Sequence, residues 1–159
     1  MSDLLSARPA SAATLQQDAQ TLRDFPCELP MPAHRIRAGF PSPAQDESCG
    51  ELDLNSFLVR NPAASFVFEV RGDSMQGAGI LEGDRIIVDR SRQAQQGDIV
   101  VAAVEGEFTV KRLFMRRNQL ELHPENPAYP VLKLDADSDC LVWGVVVGVV
   151  RRVGGRSVL

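Results

Sequence analysis

Ser74 stands in the stretch FEVRGDSMQGAGILEGDRIIV, residues 68–88, just past an apolar run and ahead of a glycine-rich loop. Glycines at 72, 77, 79 and 83 surround it. That setting suits a plain turn, and it also suits a nucleophile held in the open. A serine hydroxyl is a weak nucleophile at neutral pH and needs a base beside it. Of the two histidines, His34 lies in a proline-rich segment and His123 opens the loop HPENPAYP. Both read as surface residues, which gives a Ser-His-Asp arrangement poor support. Lysine is the alternative base. Of 17 basic residues only Lys111 and Lys133 are lysines, and the other 15 are arginines, which stay protonated. A lysine can lose its proton when it is buried. Lys111 lies in FTVKRLF, where alternation puts Thr109, Lys111 and Leu113 on one face and Phe108, Val110, Arg112 and Phe114 on the other. Taken by itself this is a solvent-facing lysine on an edge strand, because desolvating an ammonium is costly. Beside a serine that needs a base, a buried lysine able to lose its proton is the other reading, and the two stay open at this point. Lys133, in PVLKL, has the same ambiguity and no motif near it.

Any such pair has to be positioned by β structure. From about residue 52 the chain runs in short segments rich in Val, Ile and Phe: 65–71, 84–90, 97–104, 106–114, 119–123, 130–134 and 140–150. Gly-Asp recurs at 72–73, 83–84 and 97–98, and Glu105-Gly106 fits a tight hairpin turn. Seven short strands with little helix predict a mainly β fold, a compact Greek-key or barrel-like domain. Residues 1–50 differ. Six of the ten prolines fall in the first 43 residues, which excludes a long helix or a central strand there. A short helix over roughly 14–24 fits the spacing of Leu15, Ala19 and Leu22. The segment otherwise reads as a proline-rich, largely extended N-terminal arm.

Composition narrows the function. At 159 residues the chain holds one core, and a net charge of −4 argues against direct sequence-specific DNA binding by charge alone. The longest apolar run, residues 140–150, is about half of a spanning helix, so no membrane segment is expected. The N-terminus has no secretory pattern, and three cysteines without a CxxC pair predict free thiols in a cytoplasmic protein. Cys27 with His34 is too sparse a set for a metal, and no cofactor is expected. Arg71–Asp73 spells RGD, which is read as chance.

Three stretches, GDSMQGAGILEGDRIIVD, GDIVVAAVEGEFTVKRL and PENPAYPVL, closely resemble the catalytic domain of the self-cleaving LexA/UmuD family. The likeness spans about residues 36–150, and its specific signal is GDSM followed 37 residues later by the lysine of VKRL. The resemblance implies Ser74 as nucleophile and Lys111 as general base of a Ser-Lys dyad. It also implies a cut in the chain's own arm, between Ala38 and Gly39 of IRAGFPSPAQD. It divides the chain into an arm carrying the cleavage segment (1–50), a Ser-Lys peptidase domain (51–153) and a tail (154–159). A small alanine lets its carbonyl approach the serine, and glycine lets the backbone bend into the site.

The resemblance favours the UmuD branch over the repressor branch, because only 38 proline-broken residues precede the cut, too few for a helix-turn-helix. What it then implies is a homodimer serving a UmuC-type Y-family DNA polymerase in error-prone synthesis, with cleavage stimulated by a RecA filament on single-stranded DNA in the SOS response. Two rivals share the residues. One is a signal-peptidase relative, which the lack of a membrane anchor opposes. The other is a LexA-like or phage-type regulator that lacks a DNA-binding domain and acts by binding.

Overall fold

The computed structural model describes residues 27–32, 38–39, 48–116, 119–134 and 138–154. The short helix expected over 14–24 lies outside these residues. The chain divides into two compact units between Arg60 and Asn61.

In the first unit, strand β1 (Glu28–Pro32) pairs antiparallel with β2 (Ser48–Asp53), Leu29 opposite Leu52. The sequence reading named neither strand. Pro30 and Pro32 lack an N–H for a ladder, yet a two-stranded sheet consists only of edges, where proline is tolerated. The register shifts between these two prolines. Helix α1 (Leu54–Leu58) follows β2 directly. Its N-cap, Asp53, accepts from the N–H groups of Asn55 and Ser56, the usual way to satisfy orphan donors of a first turn.

The second unit is one antiparallel sheet of seven strands: β3 (Ser65–Glu69), β4 (Arg85–Asp89), β5 (Ile99–Val104), β6 (Glu107–Arg116), β7 (Gln119–His123), β8 (Leu132–Leu134) and β9 (Cys140–Val150). They lie in the order β3-β4-β9-β5-β6-β7-β8. Each matches one of the seven expected runs, and the mainly β class is as expected. The β5–β6 hairpin turns at Glu105-Gly106, both with positive φ.

Apolar clusters cover both faces of this sheet. Val101 on β5 joins Val70, Met75, Ile80, Ile86 and Val88 on one face. Its neighbours Val100 and Ala102 join Leu113, Leu122, Leu134 and Val145 on the other. The sheet also curls: Phe68 of β3 meets Phe108 of β6 edge-on at 5.7 Å, although three strands separate them in the ladder. Trp143 of β9 fills the curl, its ring 5.1 Å from Phe68 and 5.7 Å from Phe108. Cys27 and Cys140 are free thiols. No helix among the described residues is long and apolar enough to cross a membrane, and none of their acidic, histidine and cysteine side chains cluster to hold a metal.

Candidate active site

The loop from β3 to β4 carries Ser74, and its ends and middle are anchored separately. Val70 N–H donates to Asp84 O at 2.8 Å and Gly83 N–H to Val70 O at 2.9 Å, closing the mouth of the loop. Inside it Met75 and Ile80 are buried in the first apolar cluster. The methionine of GDSM is therefore an anchor immediately beside the serine. Gln76–Ala78 form a short 3-10 turn that ends at Gly79 in the left-handed region.

A bidentate ion pair fixes the far side of the loop. Asp84 is 1% exposed and accepts from Arg151 Nε and Nη2, each at 2.6 Å. The same Nη2 donates to Gly79 O at 2.8 Å. These bonds hold the Asp84 carboxyl below the usual carboxylate range, and they raise Arg151 in turn.

Lys111 comes from β6, between β5 and β7, with Val100 opposite it in the ladder. It is 8% exposed, so it is neither solvent-facing nor on an edge strand. Its Nζ makes three contacts: Ser74 Oγ at 2.9 Å, Thr109 Oγ1 at 2.9 Å and Val110 O at 3.0 Å. Burial alone pushes its pKa down from the ordinary lysine value, since desolvation penalises the charged form.

The three contacts also limit the directions these bonds can take. As an ammonium, Nζ donates to all three oxygens. As a neutral amine it has two N–H groups and one lone pair. Val110 O can only accept and takes one N–H, which leaves the second N–H and the lone pair to the two hydroxyls. In the arrangement that activates the serine, Thr109 Oγ1 accepts and the Ser74 hydroxyl donates to the lone pair. A serine hydroxyl bonded in this way is set up to lose its proton to the amine.

A second loop, after β7, braces the serine. Glu125 N–H donates to Ser74 O and Gly77 N–H donates to Glu125 O, both at 2.8 Å. The two loops lie so close that a Cβ on Gly77 would sit 2.4 Å from Glu125 O. The Glu125 carboxylate accepts from Arg112 Nε, and Arg112 Nη1 donates to Gly97 O at 2.7 Å. Arg112 follows Lys111 on β6, so Glu125 links the serine loop to the lysine strand.

The structure thus brings Ser74 and Lys111 together in the second unit. Ala38 and Gly39 belong to the first unit, where both are exposed and Gly39 has a φ of 148°. Arg37 and Phe40 lie outside the described residues. His123 pairs with Glu121 at 2.7 Å, and His34 is not among the described residues. Sequence reasoning gave no role to Thr109, Glu125, Asn126 or Tyr129. For the last three the signal was present in PENPAYP, residues 124–130, where three prolines stiffen a short polar loop.

The sequence pattern of the family described as Peptidase S24-like matches residues 30–147. Protein ImpA of Salmonella typhimurium is 45% identical over 124 residues, 77% of this chain and 83% of that protein. Protein MucA of Escherichia coli is 45% identical over 119 residues, 74% of this chain and 81% of its own length. The LexA repressor of Shewanella frigidimarina is 42% identical over 121 residues, 74% of this chain and 58% of the repressor. Fold and similarity together define a protein of the serine-peptidase type. The chain belongs to the Peptidase S24-like family and is of the self-cleaving LexA/UmuD kind.

Proposed function

We propose that Ser74 and Lys111 act as nucleophile and general base to cut the chain's own arm between Ala38 and Gly39. The observation that carries this reading is the 2.9 Å contact between the serine Oγ and an amine that burial drives toward its neutral form. Residues 1–50 would then be the arm that carries the substrate segment, 51–153 the peptidase domain and 154–159 its tail.

The steps follow from the contacts. Neutral Lys111 takes the hydroxyl proton while Ser74 Oγ attacks the Ala38 carbonyl carbon. Backbone N–H groups of the serine loop stabilise the resulting oxyanion, and one such donor is typically worth about 3 kcal/mol. The carbon–nitrogen bond to Gly39 breaks, Lys111 returns the proton to the departing amine, and Ala38 is left esterified to Ser74. Water, deprotonated by Lys111, releases it. The products are residues 1–38 and 39–159, and each chain is cut once.

Incubating the purified chain at about pH 9–10 and weighing the fragments tests this directly, since base catalysis needs the neutral amine. Cleavage after Ala38 is expected, with Ser74→Ala, Lys111→Ala and Lys111→Arg all intact. An uncut wild-type chain, or a cut Ser74→Ala chain, overturns the reading.

Membership of the LexA/UmuD kind supports a wider role. The 39–159 product is proposed to dimerise and serve as accessory subunit of a UmuC-type Y-family polymerase in the SOS response. A RecA filament on single-stranded DNA is proposed to stimulate the cut. Co-purification of the 39–159 form, but not the intact chain, with such a polymerase is the expected result. Equal recovery of both forms would remove the link between cleavage and polymerase binding.

A further inference from the structure

Asp73 precedes the nucleophile, and its side chain takes no part in the contact with Lys111. Instead Tyr129 donates its hydroxyl to Asp73 Oδ1 at 2.5 Å. Asn126 Nδ2 donates to Asp73 Oδ2 at 3.3 Å and to Asp73 O at 3.2 Å. Asn126 is 6% exposed, and its Oδ1 accepts from Ala128 N–H at 3.0 Å. With its oxygen so engaged, the amide has to turn its nitrogen toward Asp73. Tyr129 N–H donates to Asn126 O at 3.1 Å, which folds this short loop onto itself. Three side-chain bonds therefore grip one residue, and the next residue along is Ser74.

We infer that Tyr129 is a positioning residue: by holding the Asp73 carboxylate it fixes the Asp73–Ser74 backbone and so aims Ser74 Oγ at Lys111. The inference rests on the reading of Ser74 as the nucleophile. Packing does not explain the phenol, because Tyr129 is 42% exposed. Its hydroxyl is spent on one carboxylate beside the reacting atom. The bond also suits the conditions the chemistry needs. The groups that act on Tyr129 are Asp73 and Glu82, both acidic, and the bond to Asp73 foremost raises the phenol above its ordinary pKa. The bond thus shifts loss of the phenol proton to higher pH than in a free tyrosine, while burial shifts Lys111 the opposite way.

Tyr129 is the chain's single tyrosine, so tyrosinate absorbance reports this one phenol. Self-cleavage of the full-length chain is followed at alkaline pH by fragment mass for wild type, Tyr129→Phe, Asp73→Ala, Asp73→Asn and the Tyr129→Phe/Asp73→Ala pair. Tyr129→Phe is expected to slow the cut by about tenfold, the effect of losing one hydrogen bond to a charged group. In the Asp73→Ala background the same substitution is expected to change nothing. Asp73→Asn keeps an acceptor for the phenol, so it retains most of the rate while tyrosinate forms at lower pH than in wild type. Wild-type cleavage with an unaffected Tyr129→Phe chain overturns the inference, and so do two substitutions whose effects simply multiply. If wild type itself is uncut, the reading of Ser74 falls, and the absorbance titration still decides the bond: an ordinary phenol, unmoved by Asp73→Asn, overturns it.

Discussion

Replacing Gly77 with alanine sets two physical effects against each other. Gly77 lies in a short 3-10 turn, where alanine restricts the unfolded chain and is ordinarily favoured over glycine by about 0.5–1 kcal/mol. Local propensity thus predicts a small gain. The surroundings predict a loss. The new Cβ would stand 2.4 Å from Glu125 O and 3.3 Å from Glu125 C, and both are backbone atoms that cannot swing aside. The shortfall from ordinary van der Waals contact is about 1 Å. Overpacking of this kind costs about 1–3 kcal/mol, and the bond from Gly77 N–H to Glu125 O, worth about 1 kcal/mol, is strained with it. The displaced Glu125 backbone also holds Ser74 O through its own N–H. A misplacement of about 1 Å at a reacting group slows a reaction by roughly 100-fold. Urea unfolding and fragment mass after alkaline incubation measure the two effects separately. Gly79→Ala is the control, because space there is open and only the positive φ of 77° is strained. It should lower stability by about 1 kcal/mol and leave cleavage nearly unchanged. A Gly77→Ala chain that is as stable as wild type and cuts at the wild-type rate would refute the claim that the two loops are held in contact for the sake of Ser74.

The pH profile should follow Lys111: the neutral fraction grows with pH, so the rate climbs about tenfold per pH unit and levels off below the ordinary lysine pKa. A flat profile from neutral to alkaline pH would exclude a lysine base. Thr109→Val removes an acceptor that orients Nζ and should slow the cut by about five- to tenfold, read by fragment mass at saturating pH. Arg151→Met should lower the thermal midpoint at neutral pH by leaving the buried Asp84 carboxylate unpaired. Asp84 has a depressed pKa in the folded chain, so its contribution is present above the ordinary carboxylate range and lost as pH falls through the folded value. The gap between wild type and Arg151→Met should therefore close in acid, as differential scanning calorimetry would show.

Strands β3 to β6 were legible because each is a short run rich in branched or aromatic residues next to a Gly-Asp pair or the Glu105-Gly106 turn, and β9 because it is a long run of valines. Strand β1 was not, because its two prolines argue against any strand when its single partner, 16 residues further on, is unknown. The setting of Lys111 was equally hidden. Alternation groups it with Thr109 and Leu113, but β6 carries apolar residues on both faces. Pattern alone shows which side is buried only when one side is wet, and here the sheet has a core on each face. Gly77 shows the same gap. The sequence places it among four glycines of one loop, and only the neighbouring Glu125 carbonyl distinguishes the one that needs space from those that need a left-handed backbone.

Ser74, Lys111, Thr109, Arg151 and the 124–130 loop all fall beyond Arg60, within one compact unit. Severing the chain after Ala38 would subtract none of them. The shortened product would leave the event still armed, its hydroxyl and amine in place and only its target gone. If the pair cuts as proposed, restraint on such a molecule would come from scarcity of a fitting peptide and not from dismantling of the blade.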